Sequence, residues 1–218
     1  LLATNGDSKV INSYASGNIT GENFVGGLIQ YNFGNSPVIN SHYNGTIYNI
    51  TADAAGLIQY NSAVSGGNTS IYNSYFKGNI SVSSRATGIF PDGTAGLVEY
   101  NNASNNGKSI ISNSYVEANM EAKDDSNVQL VGLISYNNAT DNGNASIYSS
   151  YFSGNITAYS RTSGLIGSNF GRNGQAVIKN TYADGKIVST DSDSSGLISY
   201  TSALEDGNSS VYNSSFKG

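Results

Sequence analysis

The sequence predicts an all-β fold, a right-handed parallel β-helix (β-solenoid) of six to seven coils with about three short strands per coil. Two motifs alternate along the 218 residues, and the apolar runs between turn residues are short and rich in β-branched and aromatic side chains. No 11-residue window shows helical periodicity. Units of this kind cannot bury an apolar face alone, and they do so by stacking.

The first motif is a small residue followed by Gly-Leu-Ile-x-Tyr-Asn. Its glycines lie 29, 40, 36, 32 and 32 residues apart, at Gly27, Gly56, Gly96, Gly132, Gly164 and Gly196. Each interval corresponds to about one solenoid coil. The second motif, Ile-x-Asn-Ser-Tyr-x-x-Gly-x-Ile, alternates with the first. We therefore expect one strand at Gly-Leu-Ile-x-Tyr, one at Ile-x-Asn-Ser-Tyr and one at Gly-x-Ile, and a glycine corner with positive φ or close backbone approach at positions 17, 45, 78, 154 and 185.

Stacking would place equivalent residues about 4.8 Å apart, in columns of like side chains. The second motif predicts a structural ladder of Tyr14, His42, Tyr75, Tyr115, Tyr151 and Tyr182. The first motif predicts another aromatic column, made of Tyr31, Tyr60, Tyr100, Tyr136 and Tyr200. An amide ladder is expected at Asn12, Asn40, Asn73, Asn113, Asn180 and Asn213. Recurring aromatic residues favour packing in a core; the outward alternative, a platform for sugar rings or protein partners, stays open.

Composition narrows the function classes. Charged residues make up 11% of the chain and the net charge is −5, which provides no basic footprint for nucleic acid. No run of 18 apolar residues predicts a membrane span in this segment. We expect an extracellular, secreted or cell-surface protein, with which the lack of cysteine is compatible.

The chain is expected to form a single domain over residues 1–218, because no linker or shift in composition divides it. The pattern begins and ends within a repeat, so we expect a segment of a longer array or a subunit that associates end to end.

Gly26–Asn32 (Gly-Gly-Leu-Ile-Gln-Tyr-Asn), Val38–Ser41 (Val-Ile-Asn-Ser) and Asn12–Ile19 together resemble the GLUG-motif repeat, and the resemblance extends over nearly the whole chain in about six units. That family occurs in bacterial surface adhesins and in the non-catalytic region of immunoglobulin A metallopeptidases. The resemblance implies a scaffold rather than a catalyst. The last glycine of the family's core is replaced in every copy except that of Gly167, by Gln30, Gln59, Glu99, Ser135 and Ser199.

No catalytic residues are predicted. The single histidine, His42, lies at a ladder position, and the chain has neither cysteine nor a His-Glu-x-x-His motif, so nothing indicates a protease. A carbohydrate-active β-helix enzyme is the alternative, and it would need two carboxylates about 5–10 Å apart. The candidate acids are Asp124, Asp125, Asp191, Asp193, Glu205 and Asp206. We predict no cofactor, with calcium at Asp191-x-Asp193 or Asp124-Asp125 as the alternative, although neither has the spacing of a dedicated calcium loop.

Eleven Asn-x-Ser/Thr triplets make glycosylation a hypothesis. The strongest candidates, which we assign to loops, are Asn68, Asn102, Asn138, Asn144 and Asn208.

The sequence thus predicts a non-enzymatic extracellular repeat scaffold, a stalk or adhesin-type segment that displays loops. A self-assembling surface filament or sheath subunit is a further alternative, beside the enzyme. The expected partners are a surface protein or glycan of a host or neighbouring cell, and a second copy of the chain at its ends.

Overall fold

A computed structural model describes residues 2–50, 53–83, 93–123 and 128–218. All regular structure in these ranges is β, and every strand pair is parallel. No helix in the described ranges is long and apolar enough to cross a membrane.

The first fourteen strands are β1 (Leu2–Asp7), β2 (Val10–Ile11), β3 (Tyr14–Gly21), β4 (Val25–Gly26), β5 (Ile29–Ile39), β6 (His42–Asn49), β7 (Ala54–Ala55), β8 (Ile58–Ala63), β9 (Asn68–Tyr72), β10 (Tyr75–Val82), β11 (Gly93–Ala95), β12 (Val98–Ala103), β13 (Lys108–Ser112) and β14 (Tyr115–Ala122). The remaining fourteen are β15 (Gln129–Val131), β16 (Ile134–Thr140), β17 (Asn144–Tyr148), β18 (Tyr151–Ser153), β19 (Ile156–Ala158), β20 (Thr162–Ser163), β21 (Ile166–Arg172), β22 (Gln175–Lys179), β23 (Tyr182–Asp184), β24 (Ile187–Ser189), β25 (Ser194–Ser195), β26 (Ile198–Leu204), β27 (Asn208–Tyr212) and β28 (Ser215–Lys217).

The strands stack as a β-solenoid of about five turns with about three strands per coil, which confirms the predicted fold class. Six copies of the first motif mark the beginnings and ends of these five turns. Because partial coils extend beyond them at both ends, the longest column of equivalent strands contains seven strands. A 13-stranded sheet carries both the first motif and the start of the second, because β5 continues around the corner between them. A nine-stranded sheet follows the Asn-Ser corner, and a six-stranded sheet of very short strands precedes Gly-Leu.

The second motif bends at Asn-Ser, where we had predicted a continuous strand. Strand β9 ends at Tyr72, and Asn73 has a φ of 53°, in the left-handed region that asparagine tolerates better than most residues. The Ser74 hydroxyl donates to the Tyr72 carbonyl at 2.9 Å and accepts the Ser41 backbone N–H at 3.1 Å. The predicted amide ladder lies at this corner, with side-chain bonds joining Asn12, Asn40 and Asn73. Each corner is therefore closed locally and also bonded to the neighbouring coil.

The Asn-rich segment after the first motif is a tight turn rather than a displayed loop. Asn105 and Asn106 have φ angles of 49° and 63°, and the Gly107 N–H donates to the Ser104 carbonyl at 2.9 Å. Two successive positive φ angles define a type I′ turn, for which asparagine is a preferred residue.

Gly-Leu is a second bend, and it fixes how closely the sheets approach. A β-carbon on Gly132 would lie 2.1 Å from the Gly164 carbonyl oxygen and 2.5 Å from the ring of Phe152, which projects inward from the nine-stranded sheet. The leucines that follow the glycines are fully buried in the inner coils, at Leu57, Leu97, Leu133 and Leu165. The Leu57 N–H donates to the Leu97 carbonyl at 3.1 Å, so equivalent residues are neighbours along the axis as predicted.

A buried asparagine ladder runs through the interior, at the residue after the first-motif tyrosine. Its members are fully buried, and each side-chain amide donates to the next along the series Asn32, Asn61, Asn101, Asn137 and Asn169, at 2.7–3.0 Å. Several members also bond across the turn to the strand that follows, as Asn137 does to the Ala145 carbonyl at 3.1 Å. The ladder therefore ties coil to coil and strand to strand within a coil.

Replacing Asn101 with Ala should lower the free energy of unfolding by about 3 kcal/mol, because it removes one bonding partner of Asn61 and another of Asn137 in a buried setting. Urea denaturation measures the change. The matched control is Asn119→Ala, since Asn119 belongs to an exposed ladder with Asn155 and should cost less than about 1 kcal/mol. Equal losses for the two variants would contradict the assigned role.

Gly132→Ala should destabilise the chain by about 3 kcal/mol or prevent folding, because the methyl group would meet backbone on one side and a packed ring on the other. Thermal unfolding followed by circular dichroism tests this. In the control, Gly66→Asn, the new residue meets open space at a turn position where other coils carry Asn106 and Asn142, so the melting temperature should hardly change.

Candidate functional site

The second-motif aromatic residues form a stacked column on the outer face of the nine-stranded sheet. We call it the His42 column, and its members are Tyr14, His42, Tyr75, Tyr115, Tyr151 and Tyr182. Ring centroids of successive members are 4.4–5.4 Å apart, with interplanar angles of 3–11°. Of the two orientations left open by the sequence, the outward one is found here. Each member opens a strand whose next residue, such as Phe76, points into the core.

The His42 column carries charge as well as aromatic surface. The Lys77 amine lies 5.5 Å from the ring centroid of Tyr75 and 5.4 Å from that of Tyr115, and 2.8 Å from the Glu117 carboxylate. The Tyr151 hydroxyl donates to the same carboxylate at 3.3 Å. This face therefore combines stacked rings with cationic and anionic groups.

The first-motif tyrosines form a second outward column, which we call the Tyr100 column. Centroid distances are 5.3 Å from Tyr31 to Tyr60, 4.6 Å from Tyr60 to Tyr100 and 4.8 Å from Tyr100 to Tyr136. These rings also face outward, although for a different reason. Strand β8 pairs with β12 at Ile58 and at Tyr60, and the register skips Gln59 between them. This extra residue reverses the usual alternation of faces, so Ile58 lies in the core while Tyr60 faces outward.

The residue that the strand pairing passes over is Gln59, Glu99 and Ser135 in three successive coils. It is fully buried in all three. The Glu99 charge acts on both Tyr60 and Tyr100, so this buried position lies close to the Tyr100 column.

One coil interrupts the Tyr100 column. Ser168 pairs with Tyr136 on one side and with Tyr200 on the other, so a serine occupies the position where the flanking coils carry a ring. A groove of about 760 Å³ opens there. We call it the Ser168 groove, and the sequence marks this coil with Gly-Leu-Ile-Gly-Ser-Asn, in which serine takes the place of the motif tyrosine.

The opposite wall of the Ser168 groove is polar. It is formed by three residues at equivalent positions of successive coils, Gln129, Arg161 and Asp193. Each of them directly precedes one of the strand partners Leu130, Thr162 and Ser194. Gln129 is 6% exposed, whereas Arg161 and Asp193 are exposed. Arg161 makes no ion pair with another described residue.

The described candidate acids lie in different surroundings. Asp193 is the one acid among the described residues of the Ser168 groove, whereas Glu205 pairs with Arg172 at 2.8 Å. Asp124 and Asp125 lie outside the described residues. Within the described ranges, no group of three or more His, Cys, Asp or Glu side chains is placed to hold a metal ion.

The glycosylation candidates lie in strands, contrary to the loop positions predicted. Asn68, Asn144 and Asn208 open β9, β17 and β27, whereas Asn102 and Asn138 lie inside β12 and β16. Asn68 and Asn208 are exposed and the other three are partly buried. Asn102 and Asn138 are direct partners in adjacent coils, and Asn138 also lines the Ser168 groove.

Burial raises the pKa of Tyr60 and Tyr100 in the Tyr100 column and of Tyr151 in the His42 column. Desolvation, with a further contribution from the Glu99 charge, raises the pKa of Tyr60 to about 12 and raises that of Tyr100 as well. In the His42 column, desolvation and the Glu117 charge raise the pKa of Tyr151 to about 12. These phenols therefore stay neutral well into the alkaline range.

Comparison with known proteins found no matching family model, no curated protein and no solved structure similar to this chain.

Stability should fall as the pH rises from about 10 to about 12. An unfolded tyrosine loses its proton near pH 10, whereas folded Tyr60 and Tyr151 keep theirs to about pH 12. The native state holds the extra protons between these values, so the stabilisation is complete below pH 10 and is lost above it. Unfolding at pH 9 and 11, with tyrosinate absorbance at 295 nm, measures this.

The comparison variant is Tyr60→Phe, which keeps the ring and removes the proton. It should lose less stability between pH 9 and 11 than the unsubstituted chain and should match it between pH 6 and 9. An identical alkaline loss in both proteins would show that Tyr60 does not contribute.

Proposed function

We propose that this chain is a non-enzymatic extracellular repeat scaffold, an adhesin-type or stalk segment whose outer faces bind a partner on another surface. The observation that carries the proposal is the His42 column, six stacked aromatic rings on one outer face of a rigid strand column. Aromatic side chains offer large, stiff contact area at low conformational cost, which suits recognition when they face outward.

The backbone supports the same proposal. Strand pairing and the asparagine ladder bond each coil to the next, so force or torque applied at one end is carried along the column by hydrogen bonds and packed side chains. Low charge and the few acids of the described groove favour a scaffold over a carbohydrate-active enzyme, which needs paired carboxylates. The filament alternative would use the backbone edges of the outermost coils instead of the outer faces.

Interrupting the His42 column should reduce attachment. Beads that carry the chain are tested against printed glycans and extracellular-matrix proteins, and Tyr75→Ser plus Tyr115→Ser should lower attachment about tenfold through lost aromatic contact. Serine is the matched replacement because Ser215 follows Tyr182 in the same register. The control is Ser70→Ala plus Ser112→Ala on the 13-stranded sheet, which should bind normally.

Each outcome has a stated meaning. Folded serine variants that attach as well as the unsubstituted chain would overturn the adhesive role of this face. Hydrolysis of oligosaccharides by the purified chain would replace the proposal with the enzyme alternative. Fibres seen by sedimentation and electron microscopy, without attachment to any surface, would replace it with the filament alternative.

A further inference from the structure

The Ser168 groove is a missing step in an otherwise regular stack of rings. Coils repeat about every 4.8 Å, so Tyr136 and Tyr200, which lie two coils apart, leave about 9.6 Å between their positions. The complete part of the column places ring centroids 4.6–5.3 Å apart. The gap therefore has room for one ring between the two tyrosines, and no side chain of the described residues fills that room at Ser168.

We propose that the Ser168 groove binds one pyranose residue of a neutral glycan, held between the rings of Tyr136 and Tyr200. The inference deepens the proposed adhesive function and rests on it, because it assigns a ligand class to one of the outer faces. The His42 column plays no part in it, so the two proposals can fail separately.

The chemistry of the groove matches both surfaces of a sugar ring. The C–H faces of a pyranose are apolar and pack on aromatic faces, whereas its hydroxyl groups project from the rim and need donors and acceptors. The polar wall provides both kinds of group: Arg161 donates, Asp193 accepts and Gln129 does either. One cation and one anion leave the wall without net charge, which favours a neutral ligand over a phosphorylated or cationic one.

The floor of the groove is shaped by a second small residue. A β-carbon on Gly167 would lie 2.6 Å from the Ser135 carbonyl oxygen and 2.8 Å from the Gln129 amide nitrogen. Glycine therefore fits against the neighbouring backbone and also leaves room for Gln129 in its nearly buried position. Gly167 and Ser168 therefore act together. Gly167 leaves room for the Gln129 amide, and Ser168 leaves the position of the aromatic ring open. The groove volume of about 760 Å³ lies within the range of ligand sites, about 300–1,000 Å³.

An aromatic side chain of a partner protein is the competing occupant. It would fill the gap between the rings, but it would cover Arg161, Asp193 and Gln129 without offering them hydrogen bonds, and burying polar groups unpaired is costly. Sugar hydroxyls meet that demand, so the polar wall favours the glycan.

The test fills the gap between Tyr136 and Tyr200 with a tyrosine side chain of the protein itself. Unglycosylated protein is used because Asn138 lines the groove, and binding of cellohexaose, maltohexaose, chitohexaose and mannohexaose is measured by titration calorimetry, alongside a printed glycan array. The unsubstituted chain should bind at least one probe. Ser168→Tyr should complete the column and lower the affinity more than about tenfold, while the melting temperature holds or rises, because a stacked ring is added.

The control substitution is Ser215→Tyr, which adds a ring beside Tyr182 in the His42 column and leaves the groove open. It should bind as the unsubstituted chain does. Tyr136→Ser and Tyr200→Ser should each weaken binding about tenfold by removing one stacking face.

Three results would overturn the inference: no probe or array glycan binds the unsubstituted chain, Ser168→Tyr binds unchanged, or Ser215→Tyr abolishes binding equally. Binding of N-acetyl-tyrosinamide instead of sugars, lost in Ser168→Tyr, would assign the groove to a partner's aromatic side chain and overturn the glycan. If attachment of beads depends on the His42 column while Ser168→Tyr changes nothing, the proposed function stands and the groove inference fails.

Discussion

Coil-to-coil register is the constraint on which the rest of this structure depends. A solenoid repeats its backbone, so any side chain placed once is placed again one coil later, and only residues that tolerate their own copy at about 4.8 Å can persist. Buried asparagines meet this condition because an amide both donates and accepts, and the bonds from Asn32 to Asn169 follow that logic along the interior. Slippage by one residue would break this ladder and turn the core outward.

The same constraint explains the glycines and the corner serines. At Gly132 the carbonyl of the next coil and an inward ring occupy the space of a side chain, so the column can close only if that residue has none. At the Asn-Ser corners a left-handed residue turns the chain. The serine hydroxyl donates to a carbonyl of its own coil and accepts a backbone N–H of the preceding coil. The glycines, asparagines and serines of this polar sequence therefore have different structural roles.

Function is expected where equivalent side chains repeat along an outer face, or where one coil interrupts such a column. The His42 column is continuous, and repetition extends one aromatic contact into a continuous surface. The Tyr100 column is interrupted at Ser168, where the surface of rings gives way to a groove with a polar wall. A repeat scaffold can acquire a specific site in this way without changing its fold, because the surrounding coils hold the backbone in place.

The sequence by itself determined the solenoid, its period and the columns of equivalent residues, because these follow from copying one unit along the chain. It also predicted the left-handed glycine corner, where Gly78 has a φ of 147°. It did not determine which face each tyrosine takes. The strand register skips the residue between Ile58 and Tyr60, which reverses the alternation of inward and outward side chains, and no local sequence signal marks this position. Nor did it show that Asn101 lies in the interior, or that Gln129, Arg161 and Asp193 share a wall with the missing ring. Those relations join residues of different coils, such as Asn61 with Asn101 or Gln129 with Arg161, and only stacking of the coils brings them together.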